Sequence, residues 1–305
     1  MKEISCNICG GTDVLLLFKQ RDLYIRKGDL TEFSLVQCKK CGLVFVNPQP
    51  TYQELSPFYQ DGYFVSTGLN DDSKSFLNSL KRFRREKLPE FKPRFYKWNL
   101  FSKKHGQFLD VGCAVGAKSK GLIQDFPEWS FYGVEPDQNA AYIASKLEKF
   151  NVSKGSLLDV RYNDKFFDVV MFHHVLEHVS DPKLNIQESF RILKDGGYLI
   201  IVVPNYRSIF SRIFKRNWRH LDIPRHLFQF DKKTLRMVLE ENGFSIEKIG
   251  AETMDGSFLN SLITTLNLNV NIDNNIFIAC ARFLFACLNR IFKIGGSLYI
   301  LARKR

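Results

Sequence analysis

The chain has 305 residues, 45% hydrophobic and 25% charged, with a formal net charge of +12. That composition describes a globular protein long enough to bury a large core and to divide into more than one unit. No basic start followed by an apolar run marks a signal peptide, and no stretch of about 18 uninterrupted apolar residues marks a spanning helix, so the expected location is cytoplasmic.

Residues 1–62 carry "CNICGG" and "CKKCGL" among short β-rich runs, "DVLLLF" and "FSLVQC". Cys6 with Cys9 and Cys38 with Cys41 form two Cys-x-x-Cys pairs, each followed by a glycine, Gly10 and Gly42. Each pair grips one side of a tetrahedral ion, and the glycine lets the backbone turn back toward the sulfurs. Two such knuckles on neighbouring hairpins make a closed Cys₄ zinc site of structural type. Disulfides within such short loops would be strained, and the compartment reads as reducing. Cys113, Cys280 and Cys287 lack ligand spacing and read as small hydrophobes.

Residues 63–104 form a basic, helix-prone connector broken by Pro89 and Pro93. Its interleaved aromatics suit a nucleic-acid or anionic-membrane surface. They equally suit a solvated linker helix whose aromatic residues dock on the core, which is the commoner arrangement.

From residue 105 short apolar runs alternate with amphipathic segments. "QFLDVG", "SFYGVE", "FNVSKG", "FFDVVMF" and "GGYLIIVV" read as strands; "AKSKGLIQDF", "DQNAAYIASKLEKF" and "DPKLNIQESFRILK" read as helices. Such alternation builds βαβ units and a parallel sheet. "FSIEKIG" and "SLYILARK" read as closing strands around an insertion at 251–295.

"FLDVGCAVG" is a strand ending in an acid, followed by a glycine loop that opens a helix. Asp110, Gly112 and Gly116 are its fixed points, and glycine permits close approach to a ligand at the helix N-terminus. The next strand ends in Glu135, about 20 residues on, where an acid can accept both hydroxyls of a ribose. A dinucleotide site prefers G-x-G-x-x-G. Here the pattern is D-x-G-x-x-x-G without a second fingerprint, which suits a ligand carrying an ammonium and a sulfonium better than a pyrophosphate.

With these motifs the chain resembles a class I S-adenosylmethionine-dependent methyltransferase over residues 105–305, at "FLDVGCAVG", "FYGVEPD", "FFDVVMFHHVLEHVSDP", "RILKDGGYLIIVVPN" and "RHLFQFDKKTLRMVLEENGF". Residues 1–62 are similar to the zinc-ribbon-like extension of some bacterial members. The resemblance implies an α/β, Rossmann-like sheet of seven mostly parallel strands with an antiparallel last strand. It implies S-adenosyl-L-methionine at Asp110, Gly112, Cys113 and Gly116, with the ribose at Glu135 and Pro136, and with Ser156, Phe172 and His173 completing the site. Ser156 and Leu157 stand where the family often has an acid for the adenine amine, and Asp159 follows slightly late. Ala114 replaces a frequent glycine.

"HHVLEH", residues 173–178, follows the fourth strand, beyond whose carboxyl end ligands sit. On a helix His174 and His178 would share a face, as metal ligands do. The segment reads as a metal site, as the wall of the acceptor pocket with or without a general base, or as structure alone; the pocket wall is preferred. Some quinol O-methyltransferases are similar at "VLEHV" and hold a divalent ion there with a preceding acid, but His174 replaces that acid. The zincin pattern H-E-x-x-H is not matched. His226, expected to begin the helix after the fifth strand, joins His173 and His174 as candidate base, and Tyr206 as a pocket residue.

The segment 275–296 is apolar around most of a helix, with Arg282, Arg290 and Lys293 interspersed. It fits a membrane interface, or a lid or dimer helix. The expected function is methyl transfer to a small molecule or a glycan or lipid-linked precursor. The alternatives are RNA methylation, a metal-assisted quinol-type O-methylation, and a non-catalytic membrane-peripheral binding protein. Against RNA stands the lack of N/D-P-P-Y after the fourth strand; against a scaffold stand the intact Asp110, Gly112, Gly116 and Glu135. The acceptor atom and the oligomeric state are not legible.

Overall fold

A computed structural model describes residues 1–23, 30–59, 98, 100–252, 257–266 and 295–305. Most of the basic connector and residues 275–294 of the apolar segment, with Cys280 and Cys287, lie outside the described residues.

Two sheets organise the chain. The larger uses β4 (Gln107–Val111), β5 (Ser130–Glu135), β6 (Phe150–Lys154), β7 (Phe167–His173), β8 (Leu193–Pro204), β10 (Phe244–Glu252) and β11 (Ser297–Lys304) in the order β10-β11-β8-β7-β4-β5-β6. Neighbours from β8 to β6 run parallel, while β11 is antiparallel to both β8 and β10. This is the Rossmann-like sheet of seven strands expected from the sequence. Strands covered on both faces read as continuous apolar runs, and β7 (FDVVMFH) is buried along all but its last residue. Its alternate residues serve two cores: Val170 and Phe172 face one layer, Val169 and Met171 the other.

After the short α1 (Tyr52–Leu55), the helices that cross over are α2 (Ala117–Asp125), α3 (Gln138–Ala144) and α4 (Pro182–Ile192), and α5 (Ile209–Phe214) follows β8. The segment expected to be helical through Phe150 keeps only α3, since Lys149 takes a left-handed backbone and Phe150 opens β6.

The smaller sheet is built from β1 (Val14–Gln20), β2 (Phe33–Cys38) and β3 (Val44–Val46), and its fourth strand is β9 (Phe228–Gln229), which begins 182 positions after Val46. Val44 pairs with Gln229 and Phe45 with Phe228, whose rings stack at 6.2 Å. Cys6, Ile8, Cys38, Leu43 and Phe45 share one buried cluster with Leu109, Val111 and Phe172 of the large sheet. The cysteine-bearing extension therefore does not close on itself.

A buried ion cluster fixes this junction. Arg225 has no exposed surface. Its Nη1 donates to Asp22 Oδ2 (2.9 Å) and to the Phe58 carbonyl (3.2 Å). Its Nη2 donates to Asp22 Oδ1 (3.0 Å) and Asp222 Oδ1 (2.6 Å), and its Nε to Asp222 Oδ2 (3.2 Å). The fork geometry of guanidinium suits such paired carboxylates. Removing one partner of a buried pair strands a charge, at about 3–5 kcal/mol. Asp22→Ala is accordingly expected to lower unfolding stability by about that amount, read as a fall in urea midpoint. A midpoint within error of wild type would show that the cluster does not hold the two units together.

Candidate active site

The glycine loop and Glu135 come together at the carboxyl ends of β4 and β5. Gly112 (φ +66°) leaves the strand, and the amides of Gly112 and Cys113 donate to the Val134 carbonyl at 2.8 and 3.2 Å. A Cβ on Gly112 would lie 2.6 Å from Val175, so glycine is required by space as well as by φ. Gly116 (φ +75°) begins α2, and a Cβ there would meet Leu147 at 2.6 Å. Ala114 takes φ +47° without glycine's freedom. Its amide donates to Glu135 Oε2 at 2.9 Å, while the Asp137 amide donates to Oε1 at 2.9 Å. Glu135 is thus held in one plane, and burial pushes its carboxyl up. Asp110 accepts from Ser119 Oγ at 2.7 Å, and burial pushes it up to about 6.

Other residues expected at this site are placed differently. Cys113 and Phe172 have buried side chains packed in the two cores, so only their backbone reaches the loop. Pro136 is exposed beside Glu135. The Ser156 amide and hydroxyl both donate to Asp159 Oδ2, at 2.8 and 2.7 Å. Asp159 therefore closes its own turn.

Five of the chain's six histidines fall in two groups of touching rings, His173 with His174 and His220, and His178 with His226. His173 and His174 lie 4.9 Å apart, His174 stacks parallel on His220 at 5.7 Å, and His178 meets His226 edge-on at 4.5 Å. The "HHVLEH" segment is not a helix. His174 takes a left-handed backbone (φ +57°), its amide bonds the Val202 carbonyl, and a turn closes from His178 N to Val175 O. The helical spacing of His174 and His178 is thereby lost. His174 Nδ1 instead meets Glu177 Oε1 at 3.2 Å, with the imidazole part-exposed at 31% and the carboxylate buried at 1%. Burial, the largest single influence, pushes Glu177 up, but the bond from His174 and the charges of His174, His178 and His226 together hold the carboxyl down at about 2.

His226 does not begin a helix. It precedes β9, is buried, and bonds the His220 carbonyl through Nδ1 at 2.7 Å. The helix expected there, α6 (Lys232–Glu241), starts later, capped by Asp231. Burial lowers His173 well below the usual range and takes His226 down to about 3. Tyr206 is part-buried in the cluster that holds Trp218 and Leu221. His220 was missed because it lies in no motif; only its place between two other histidine-bearing segments could have flagged it.

At the cysteines, Gly10 (φ +67°) and Gly42 (φ +89°) turn each knuckle. Their amides bond the Cys6 and Cys38 carbonyls at 2.8 and 2.9 Å. Cys6 and Cys41 sulfurs lie 3.4 Å apart, Cys9 and Cys38 sulfurs 3.5 Å, and one sulfur from each residue falls within 4.8 Å of the others. A tetrahedral zinc–thiolate centre sets its sulfurs about 3.8 Å apart, so the set fits such an ion.

The model of a methyltransferase domain matches residues 80–249, more than half of the chain. This protein belongs to the class I S-adenosylmethionine-dependent methyltransferase family. An uncharacterized methyltransferase of Schizosaccharomyces pombe is 35% identical over 32% of this chain and 40% of its own length. The ajmaline N-methyltransferase of Rauvolfia serpentina is 29% identical over 35% of this chain and 39% of its own. The mitochondrial ubiquinone biosynthesis O-methyltransferase of Rattus norvegicus is 26% identical over 47% of this chain and 45% of its own. The chain thus spans under half the length of these three curated relatives. Among solved structures, the [4+2]-cyclase SpnF superposes with a TM-score of 0.53 at 18% identity, covering 84% of this chain and 97% of its own. MccD superposes with a TM-score of 0.50 at 17% identity, covering 71% and 97%. These two establish the fold alone. No helix among the described residues is long and apolar enough to cross a membrane.

The Gly112–Val175 contact joins the cofactor loop to the histidine segment and can be probed directly. Gly112→Ala is expected to cost about 1–2 kcal/mol for the left-handed backbone and about 1–3 kcal/mol for overpacking against Val175. Adding Val175→Ala should recover the overpacking share and leave the backbone share, as read by denaturant unfolding. Full additivity of the two single losses would contradict the contact.

Proposed function

We propose that the protein transfers a methyl group from S-adenosyl-L-methionine to a small-molecule acceptor or a glycan or lipid-linked precursor. In this reading His174 is the general base. The observation that carries it is the His174–Glu177 pair set directly beside the cofactor loop, since Val175, the next residue, packs on Gly112.

The donor set suits the cofactor. Each Glu135 oxygen takes one backbone amide and keeps a lone pair for a ribose hydroxyl. Asp110 sits at the strand end, where a carboxylate favours the cationic methionine end. Gly112 and Gly116 bring backbone close, and His173 Nδ1, buried without a protein partner, adds a polar atom at the end of β7. The bound cofactor supplies a methyl carbon already activated on a sulfonium.

The protein's remaining tasks are alignment and proton removal. Glu177 Oε1 accepts from His174 Nδ1–H, which fixes the tautomer and leaves Nε2 to take the acceptor's proton. His173 and His226 are less suited to that role, being buried and pushed toward the neutral, weakly basic side. The Cys₄ set is assigned a structural zinc, with every position filled by protein sulfur. Residues 1–62, 63–104 and 105–305 are assigned to a zinc-ribbon-like unit, a connector and the methyltransferase domain.

Calorimetric titration with S-adenosylhomocysteine tests the reading. Binding is expected, and Glu135→Ala should weaken it roughly 10- to 100-fold, the equivalent of about 1.5–3 kcal/mol for hydrogen bonds to a charged group. No heat of binding by the wild-type protein would sink the proposal. In an acceptor screen read by S-adenosylhomocysteine release, His174→Ala should lower turnover by roughly 10²- to 10⁴-fold with cofactor affinity retained. An unchanged turnover would remove His174 as the base.

A further inference from the structure

The geometry points to a second metal site, distinct from the four cysteines, in which Glu177, His178 and His226 hold a first-row divalent transition ion. One ligand atom from each of these residues lies within 4.8 Å of the other two. The residues come from two separate segments, the turn after β7 and the loop before β9, so the "VLEHV" motif supplies two of the ligands and His226 is joined to them only by the fold.

Three details of hydrogen bonding favour a cation there. Glu177 Oε1 is engaged by His174, but Oε2 is buried with no partner, in a side chain only 1% exposed. An ionised oxygen left bare at that depth is costly unless a cation or donor meets it. Both imidazoles have their other nitrogen engaged. His178 Nδ1 lies 3.1 Å from the Arg225 carbonyl and 3.1 Å from the Tyr59 hydroxyl, and His226 Nδ1 lies 2.7 Å from the His220 carbonyl. A histidine that donates its Nδ1–H to a backbone carbonyl presents Nε2 as a lone pair, which is how metal-binding histidines are oriented.

The surrounding charges do not supply the missing cation. Asp222 Oδ2 lies 3.9 Å from His226 Nε2, and Asp222 is already bonded by Arg219 and Arg225. It stands behind the site as an outer anion. His174 turns its Nδ1 to Glu177 and is not among the three ligands.

Two imidazoles and one carboxylate suit zinc, iron(II), manganese or cobalt better than magnesium, which prefers oxygen ligands. Three protein donors also leave at least one coordination position. An oxygen of the acceptor would occupy it, one residue pair away from His174. The site itself does not depend on the methyl-transfer reading.

The test is cobalt(II) titration of the full-length protein after metal removal, followed by absorption spectroscopy and elemental analysis. The expected result is two classes of bound cobalt: one with strong thiolate charge-transfer bands from the cysteines, and one with only weaker ligand-field bands from nitrogen and oxygen donors. Magnesium in excess should displace neither. Glu177→Gln and His226→Gln should each remove the second class while the thiolate bands persist. Saturation of the wild-type protein at a single equivalent with thiolate bands alone would overturn the proposal, whether or not the variants fold. So would a sulfur-free class that survives in a folded Glu177→Gln variant at unchanged affinity.

Discussion

The buried guanidinium of Arg225 is the constraint around which the histidine-bearing segments are arranged. A charge with no exposed surface must be matched completely, and its partners come from distant parts of the chain: Asp22 after β1, the Phe58 carbonyl, and Asp222 just upstream. Meeting that demand fixes the loop between β8 and β9. The Arg225 carbonyl then receives His178, and the His220 carbonyl, on the same loop, receives His226. The positions of three histidines thus follow from a charge that none of them carries.

The unsatisfied polar atoms show where this order has been left incomplete. Among the described residues, buried side-chain atoms without partners include His173 Nδ1 at the end of β7, Glu177 Oε2 in the following turn, Gln229 Oε1 on β9 and Ser297 Oγ opposite the end of β8. Each such atom costs about 1–3 kcal/mol, and a fold would ordinarily eliminate them. Two of them, His173 Nδ1 and Glu177 Oε2, lie at and just beyond the carboxyl end of β7, the kind of place where α/β sheets take ligands. At the opposite edge of the sheet Gln107 Oε1 is also unpartnered, whereas Asp168 accepts from Lys103, Lys194 and the Gln107 amide.

The sheet was legible because its strands are apolar on both faces and its helices are amphipathic, so periodicity separated them, as in "FFDVVMF" followed by "DPKLNIQESFRILK". Gly112, Gly116 and Glu135 were legible because their roles depend on local geometry: a turn, a helix start, a strand end. The histidines were read less well. "HHVLEH" has helical spacing, but the His174 amide is bonded to the β8 carbonyl of Val202, and this non-local bond outweighs helix propensity. His226 was expected at a helix start because β9 is only two residues long. Its pairing with β3 is set by the cysteine-bearing extension, which no local pattern near residue 226 reports. His220 and the union of His178 with His226 depend on the same long-range closure.

That closure gives the extension a role beyond carrying cysteines. Asn7, within the first knuckle, donates to Asp181 Oδ1 at 2.8 Å and accepts from the Lys183 amide at 2.9 Å, so it helps cap α4. Two residues of the other arm, Leu227 and Phe228, donate their amides to the Glu177 carbonyl at 2.8 and 3.2 Å. The turn bearing His174, Glu177 and His178 is therefore held at its exit by the first knuckle and along its backbone by the β9 arm, which is itself paired to β3. Gly112 and Glu135 stand at the ends of β4 and β5 of the large sheet, whereas the turn bearing Glu177 and His178 is held by both sheets. A change that loosens the cysteine knuckles would consequently reach Glu177 and its histidines before it reached Asp110 or Glu135, which separates the two halves of the site by what supports them.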